Sequence, residues 1–255
     1  MSTIVKVAIA GRRDVPVGRV IHLTEGSGTK PLIYPMWILE SSDRITLVDT
    51  GFSKAVAAAR HIVEHRETET LLQQAGIEGH DVSDVIISHL HYDHFGRTEL
   101  FPNATFWIQR KDIDYFTGYG ADHPAAKLAD RDAMEQLDGL LAVNRVQVLD
   151  GGVSKAGQHT TVCVGGHTPG TQVTVVSGWG EPLVLACDAS HLYENLLTRT
   201  PSSTIHSYDH FQIGFSTVEA LAEGGRWFPG HDAVMLEELT QLTDDVYRLE
   251  ARSSS

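Results

Sequence analysis

The chain has 255 residues, 42% of them hydrophobic, which is enough to bury a sizeable core and fits one domain spanning 1–255. Thirty-three acidic against 20 basic residues give a formal charge of −13, a field that repels nucleic acid and anionic lipid and favours a small neutral or weakly charged ligand. Two cysteines and no run of ~20 apolar residues argue against a disulfide-stapled scaffold and a membrane span, so a cytoplasmic protein is expected.

The N-terminal "MSTIVKVAIAGRRD" meets charge at Lys6, Arg12 and Arg13, which leaves no signal-peptide core. "KVAIA", "GRVIHL" and "MWILES" read as an early block of strands, and "RITLVDTG" closes a strand on Asp49, Thr50 and Gly51. Residues 53–75 read as helical up to Gly76. His61 and His65 then stand at i, i+4 spacing among Arg60, Glu64, Arg66 and Glu67, as on a solvated helix face. "DVIISH" is a buried strand and "ATFWIQ" another. Residues 112–142 form a partly helical cap, broken at its start by Gly118, Gly120 and Pro124. "RVQVLDGG", "HTTVCVGGHTPGT", "QVTVVSG" and "PLVLACDAS" supply further strands, and a helix is expected near 216–223. "DAVMLEELTQLTDDVYRLEA" predicts an amphipathic terminal helix before a frayed tail at 252–255.

Unusual histidines and aspartates fall just past the ends of these strands. His89, His91, Asp93 and His94 follow "DVIIS", His167 follows "VCVGG", Asp188 follows "LVLAC", and His231 follows "WFPG". Loops at strand ends are held rigidly by the sheet while their side chains stay free to converge on a ligand. In extended backbone, residues two apart share a face, so His89 and His91 can grip one metal while Asp93 and His94 turn toward a second. Two divalent ions are implied. Imidazole and carboxylate donors suit Zn²⁺, and Mn, Fe or Co fit the same set. Cys187 adjoins Asp188, yet strand neighbours point to opposite faces, so Cys187 and likewise Cys163 are expected in the core.

The sequence resembles the metallo-β-lactamase-fold hydrolases from "LVDTG" to "PGHD". Within them "SHLHYDHFG…LFPNATFWIQ…DY" is most similar to the lactonase branch, which includes N-acyl-homoserine lactonases and 4-pyridoxolactonase. The resemblance implies an αββα sandwich, in which helices flank two facing mixed sheets with the metals at one edge. It implies that His89, His91 and His167 hold the first metal, that Asp93, His94 and His231 hold the second, and that Asp188 bridges both. Asp49 matches the aspartate that orients a ligand histidine; on its residues alone it also reads as a strand-end turn residue.

A metal-bridging hydroxide is then the expected nucleophile on the ester carbonyl of a small lactone, with Asp93 a candidate to carry the proton to the leaving alkoxide. Lactonases of the homoserine-lactone type place a tyrosine three residues after the bridging aspartate, where this chain has His191 in "DASHLYEN". His191, or Tyr193 two residues on, is the candidate hydrogen-bond donor to the substrate. His206, Tyr208 and His210 alternate in a segment read as a loop and are candidates for the pocket wall. "PLIYPMW" offers a further wall or a core strand. A thioester hydrolase of the glyoxalase II kind and a non-catalytic metal-dependent ligand-binding domain are the alternatives, and a homodimer is compatible with either.

Overall fold

Alternation of apolar side chains decides which way each strand faces, and that alternation sorts the molecule into layers. The computed structural model describes residues 2–24 and 27–251, so the expected frayed tail at 252–255 lies outside the described residues. In chain order the first half holds β1 (Ile4–Pro16), α1 (Val17–Val20), β2 (Thr29–Glu40), β3 (Ile45–Val48), α2 (Lys54–Ala59), β4 (Glu64–His65), α3 (Thr68–Ala75), β5 (Val82–Ile86), β6 (Thr105–Gln109), α4 (Arg110–Asp114), α5 (Arg131–Ala142) and β7 (Val146–Leu149). The second holds β8 (Val153–Ala156), β9 (His159–Cys163), β10 (Gln172–Val175), β11 (Leu183–Cys187), α6 (Tyr193–Thr198), α7 (Tyr208–Leu221), β12 (Arg226–Pro229), β13 (Thr240–Gln241) and β14 (Val246–Leu249).

Two mixed sheets result, one in the order β13-β14-β1-β2-β3-β5-β6-β7 with β4 paired to β1, the other in the order β12-β11-β10-β9-β8. Val5, Val7, Ile9, Trp37 and Leu39 of the first sheet meet Leu183, Leu185, Cys187 and Phe228 of the second in a core between the sheets. The alternate residues Ala8, Ala10, Met36 and Ile38 face outward onto Leu71, Leu72, Leu137 and Leu140 of α3 and α5. On the far side, Val173, Val184 and Ala186 pack on Phe211, Phe215 and Val218 of α7. The order of layers is therefore helix, sheet, sheet, helix, the expected αββα sandwich.

Strand polarity places the site. β3, β5, β6 and β7 run parallel, as do β11 and β12, so the segments that leave β3, β5, β11 and β12 emerge at one edge of the sandwich. Ser53 caps α2, Asp130 caps α5, Ser207 caps α7, and Gly76 at φ 76° ends α3. Among the described residues no helix is long and apolar enough to cross a membrane.

Several local expectations are corrected. Residues 53–75 are not one helix: the chain turns at His61 (φ 57°), buries Ile62 and pairs β4 with β1 before α3 begins. His61 and His65 therefore share no helix face. In "GRVIHL" residues 18–20 belong to α1 and 21–23 turn away from it, so no strand forms there, and the helix expected near 216–223 starts earlier, at Tyr208. The predicted terminal helix is a 3-10 segment at Ala233–Glu238 followed by β13 and β14, because β14 completes the sheet along β1. Cys187 is in the core as expected, while Cys163 is only half-buried near the end of β9.

Candidate metal centre

Each side chain of the cluster is delivered by a strand end. The segment after β5 folds back on itself, with Phe95 N donating to His91 O at 2.9 Å, and so presents His89, His91, Asp93 and His94 together. His167 lies in the β9–β10 connection. At the end of β11 the backbone of Cys187 takes φ 46°, so Cys187 enters the core while Asp188 turns to the sheet edge. The β12 exit brings His231 alongside. Gly230 makes this approach feasible, since a Cβ there would lie 2.5 Å from Asp188 Oδ1.

The donors form two groups, and Asp188, His191 and His231 make a third that overlaps both. In one, His91 Nδ1 is 2.9 Å from both His89 Nε2 and His167 Nε2, and Asp188 Oδ2 is 3.1 Å from His167 Nε2. In the other, Asp93 Oδ2 is 3.3 Å from His94 Nε2 and 3.6 Å from His231 Nε2. Asp188 stands between them, its Oδ1 3.3 Å from His94 Nε2 and 3.0 Å from His231 Nε2. All seven side chains are buried. Within each group the ligand atoms lie within 4.8 Å of one another.

Hydrogen bonds on the outer side of the rings decide which nitrogen carries a lone pair inward. His167 Nδ1 donates to Thr204 O and His231 Nδ1 to Ile33 O, both at 2.9 Å. A carbonyl only accepts, so each ring keeps a proton on Nδ1 and, in its neutral form, presents a bare Nε2 to the cluster. His94 Nδ1 faces Asp49 Oδ2 at 2.7 Å, and Ser88 donates its N–H and hydroxyl to the same carboxylate. Asp49 at φ 68° is thus the ring-orienting residue by geometry as well as a strand-end turn.

Two inward atoms lack partners. His94 Nε2 and Asp188 Oδ1 are buried with no hydrogen bond, and imidazole lone pairs converge at hydrogen-bond distance with too few protons to share. A cation placed among these nitrogen and oxygen donors supplies the missing partner, so the residues fit a divalent metal pair. Charge supports the same assignment. Burial opposes ionisation of Asp93 and Asp188, yet the surrounding imidazoles hold both carboxyls well below the usual range. Burial and neighbouring imidazoles push His89 and His91 well down, so both rings are neutral at pH 7, the form a cation can bind. His94 and His231 are raised, the pull of Asp93 and Asp188 overcoming burial.

The cluster floors a cavity of about 120 Å³. Val15, Val20, Leu32 and Leu128 give it apolar walls, Tyr34 and Tyr92 stand beside the donors, and Arg19 contributes a guanidinium to the lining. "PLIYPMW" thus serves both uses, Leu32 and Tyr34 facing the cavity and Met36 the core. His191 lines the cavity, its Nε2 3.2 Å from Asp188 Oδ2 and its Nδ1 buried without a partner. Burial takes His191 down to about 3 against the attraction of Asp188, so it is neutral.

Four expected site residues do not reach the cavity. Tyr193 starts α6, packs edge-on against Trp227 and donates its hydroxyl to Glu238 at 3.2 Å. The helical geometry of α6 carries its ring off the sheet edge. His206 packs edge-on against Tyr115, 5.3 Å between ring centroids. Tyr208 and His210 belong to the first turn of α7 rather than a loop, and neither is among the lining residues. Ser207 and His206 instead donate their N–H groups to Gly166 O, bracing the connection that carries His167.

Sequence reasoning missed Ser88, Tyr92 and Asp112. Ser88 and Tyr92 sit within the "SHLHYDH" run itself and were legible as its intervening positions. Asp112, buried behind the loops, has its carboxyl pushed up to about 6 by burial. Only its place in an otherwise solvated "RKDID" turn distinguishes it, and that is no signal.

The comparisons agree with this geometry. A model of the metallo-beta-lactamase superfamily matches residues 29–237. An N-acyl homoserine lactonase of Azorhizobium caulinodans is 33% identical over 83% of this chain and 87% of its own length. A solved quorum-quenching N-acyl homoserine lactone lactonase superposes with a TM-score of 0.79 at 19% identity, covering 97% of this chain and 99% of that one. A dizinc quorum-quenching lactonase solved with its product N-hexanoyl-L-homoserine superposes with a TM-score of 0.75 at 16% identity, covering 99% and 96%. With the fold, the convergent strand-end donors and these likenesses in agreement, the chain belongs to the metallo-beta-lactamase superfamily, in its N-acyl homoserine lactonase branch.

Proposed function

We propose that this protein is a dinuclear-metal hydrolase that opens the ester ring of a small lactone. One observation carries the reading: seven buried donors divide into two groups around Asp188 at the floor of an apolar-walled cavity. His89, His91 and His167 would hold one cation and Asp93, His94 and His231 the other, with Asp188 shared between them. Zinc is the expected ion, from the imidazole and carboxylate donors and from the dizinc relative. Two such ions, when bound, supply Lewis acidity toward a carbonyl oxygen and a nucleophilic water at neutral pH.

The chain's own groups do the rest. The walls formed by Val20, Leu32 and Leu128 exclude bulk water from the ester, so charge developing on the carbonyl is poorly screened and preformed stabilisation counts for more. Asp93 lines the cavity and is placed to carry a proton to the departing alkoxide. The ring C–O bond breaks, a water oxygen bonds to the carbonyl carbon, and a hydroxy acid leaves as its carboxylate with release of one proton. His191 addresses Asp188 through Nε2 and steadies its carboxylate beside the reacting carbonyl.

N-acyl homoserine lactones are the first class to test, since the relatives are named for them. A pH-indicator assay over acyl-homoserine lactones, aromatic lactones, thioesters and β-lactams reads the released proton directly. Turnover of lactones that disappears on chelation and returns with zinc is expected. Turnover of thioesters alone, or turnover indifferent to chelation, would overturn the reading.

A further inference from the structure

Asp112 lies on α4, outside both donor groups, and is 1% exposed. Its carboxylate accepts three hydrogen bonds. Oδ2 takes the backbone N–H of Leu90 at 3.2 Å and the hydroxyl of Thr168 at 3.0 Å, and Oδ1 takes the backbone N–H of Gly170 at 2.6 Å. Leu90 separates His89 from His91, and Thr168 follows His167 directly. One side chain therefore binds the backs of two loops that belong to different sheets, the β5 exit and the β9–β10 connection. Gln172 also joins these loops, through its N–H to Ser88 O and its amide to Ile87 O, but at the strand base rather than behind the ligands.

The surroundings are built for this contact. A Cβ at Gly170 would stand 2.7 Å from Asp112 Oδ1, so only glycine admits the carboxylate so close to the backbone. Thr171 accepts the N–H of Thr168 at 2.8 Å, and its hydroxyl lies 2.9 Å from that of Thr168. Thr168 gives its one proton to Asp112, so Thr171 donates to Thr168 and the chain of hydroxyls runs toward the carboxylate. Three donors aimed at one group require an acceptor on every face, which a carboxylate is and an amide is not.

We propose that Asp112 is a positioning residue that clamps the His89–His91 and His167 loops together and sets the geometry of the first metal group. The inference rests on the metal assignment proposed above. In Asp112→Asn the amide NH₂ faces either the Gly170 N–H, at the Oδ1 position, or the Leu90 N–H and Thr168 hydroxyl, at the Oδ2 position, so the clamp loses at least one of its three bonds and its hold on the loops that carry the three imidazoles loosens.

The test is zinc binding by equilibrium dialysis of the wild type, Asp112→Asn and Thr168→Val, with far-UV circular dichroism of each metal-free protein. Anomalous scattering from crystals grown at limiting zinc locates the retained ion. Wild type is expected to bind two ions. Asp112→Asn should bind one ion as before, at Asp93, His94 and His231, and the other roughly 10–100-fold more weakly, the usual effect of losing a partner behind a metal ligand. Thr168→Val, which keeps the carboxylate and removes one of its donors, should shift the same site in the same direction by less, and it carries the test if Asp112→Asn does not fold. Unchanged binding at both sites, or equal weakening at both as from a general loss of stability, would overturn the clamp. Fewer than two ions on the wild type would instead overturn the metal assignment, and the clamp with it.

Discussion

Asp49 Oδ2 lies 2.7 Å from Nδ1 of His94, at the opposite end of the ring from the nitrogen that faces Asp93 and Asp188. A carboxylate there holds the ring proton on Nδ1 and leaves Nε2 free to bind a cation. Asp49→Asn turns an NH₂ toward that proton and favours the opposite tautomer, while its remaining oxygen can still accept from Ser88 N. Zinc affinity of the Asp93, His94 and His231 group should fall roughly 10–100-fold with the fold unchanged. A chelator-competition titration measures this, and wild-type affinity in the variant would remove Asp49 from the metal chemistry.

His191 occupies the position three residues after Asp188 and keeps its Nε2 3.2 Å from that carboxylate. Its substitution by Phe keeps a planar ring in the cavity and removes both nitrogens. If the side chain steadies the reacting arrangement without binding metal, kcat should drop by about 10–100-fold while the zinc content stays at the wild-type level, as for partners that orient a metal ligand. Steady-state kinetics paired with metal analysis decides the matter: a parallel loss of zinc would make His191 a ligand instead.

The donors were readable from the sequence because their chemistry is rare inside proteins. An aspartate or histidine past the end of an apolar strand has few structural uses, and seven of them at such places imply convergence. The layers were readable for a similar reason, since Val5, Val7 and Ile9 alternate with Ala8 and Ala10 as a two-faced strand must. The C-terminal strands were not. Val246 and Leu249 are both buried, three apart, one in the core beneath α3 and α5 and the other in the core between the sheets; a strand covered on both faces shares that spacing with an amphipathic helix, and only the pairing of β14 along β1 breaks the tie, which is a tertiary fact. Asp112 was hidden for the same kind of reason, because its partners are backbone N–H groups that no residue type announces. Tyr193 misled in the other direction: it stands close to Asp188 in sequence, but α6 begins at that residue and turns the ring toward Trp227.

Leu128 reaches the cavity from the segment between α4 and α5, and the adjoining Tyr92 N–H donates to its carbonyl at 2.8 Å. Its side chain forms part of the apolar wall with Val20 and Leu32. Shortening it to Ala should enlarge the pocket without touching a donor, so kcat/KM for acyl lactones with longer chains should rise relative to short-chain ones. One methylene in an apolar pocket is worth about 1–3 kcal/mol, or roughly 10–200-fold in discrimination, which sets the scale of the change. The ratio of kcat/KM for a ten-carbon and a four-carbon acyl lactone checks it; an unchanged ratio would place the acyl chain elsewhere.

His159 provides a pH test away from the metals. It opens β9, is 2% exposed, and accepts at Nδ1 from Ser177 N at 3.2 Å. Burial drives it from the ordinary 6.5 down to about 4, outweighing the attraction of Asp84. The folded protein therefore holds this imidazole neutral over a range in which the unfolded chain takes up a proton. Above pH 6.5 neither state is charged and the group contributes nothing to the pH dependence. As pH falls from 6.5 toward 4 the unfolded state binds the extra proton and stability is lost, by about 2 kcal/mol at pH 5 and about 3 kcal/mol once pH passes below 4. His159→Gln retains an acceptor for Ser177 N and removes the titration. Urea unfolding of the metal-free wild type and variant at pH 7.5 and pH 5 isolates the term, because every other group titrates alike in both and cancels. The variant should lose about 2 kcal/mol less than the wild type between the two pH values. Equal losses would mean that His159 takes up its proton in the folded state as readily as in the unfolded one, through an opening of the β8–β9 edge that its burial does not suggest.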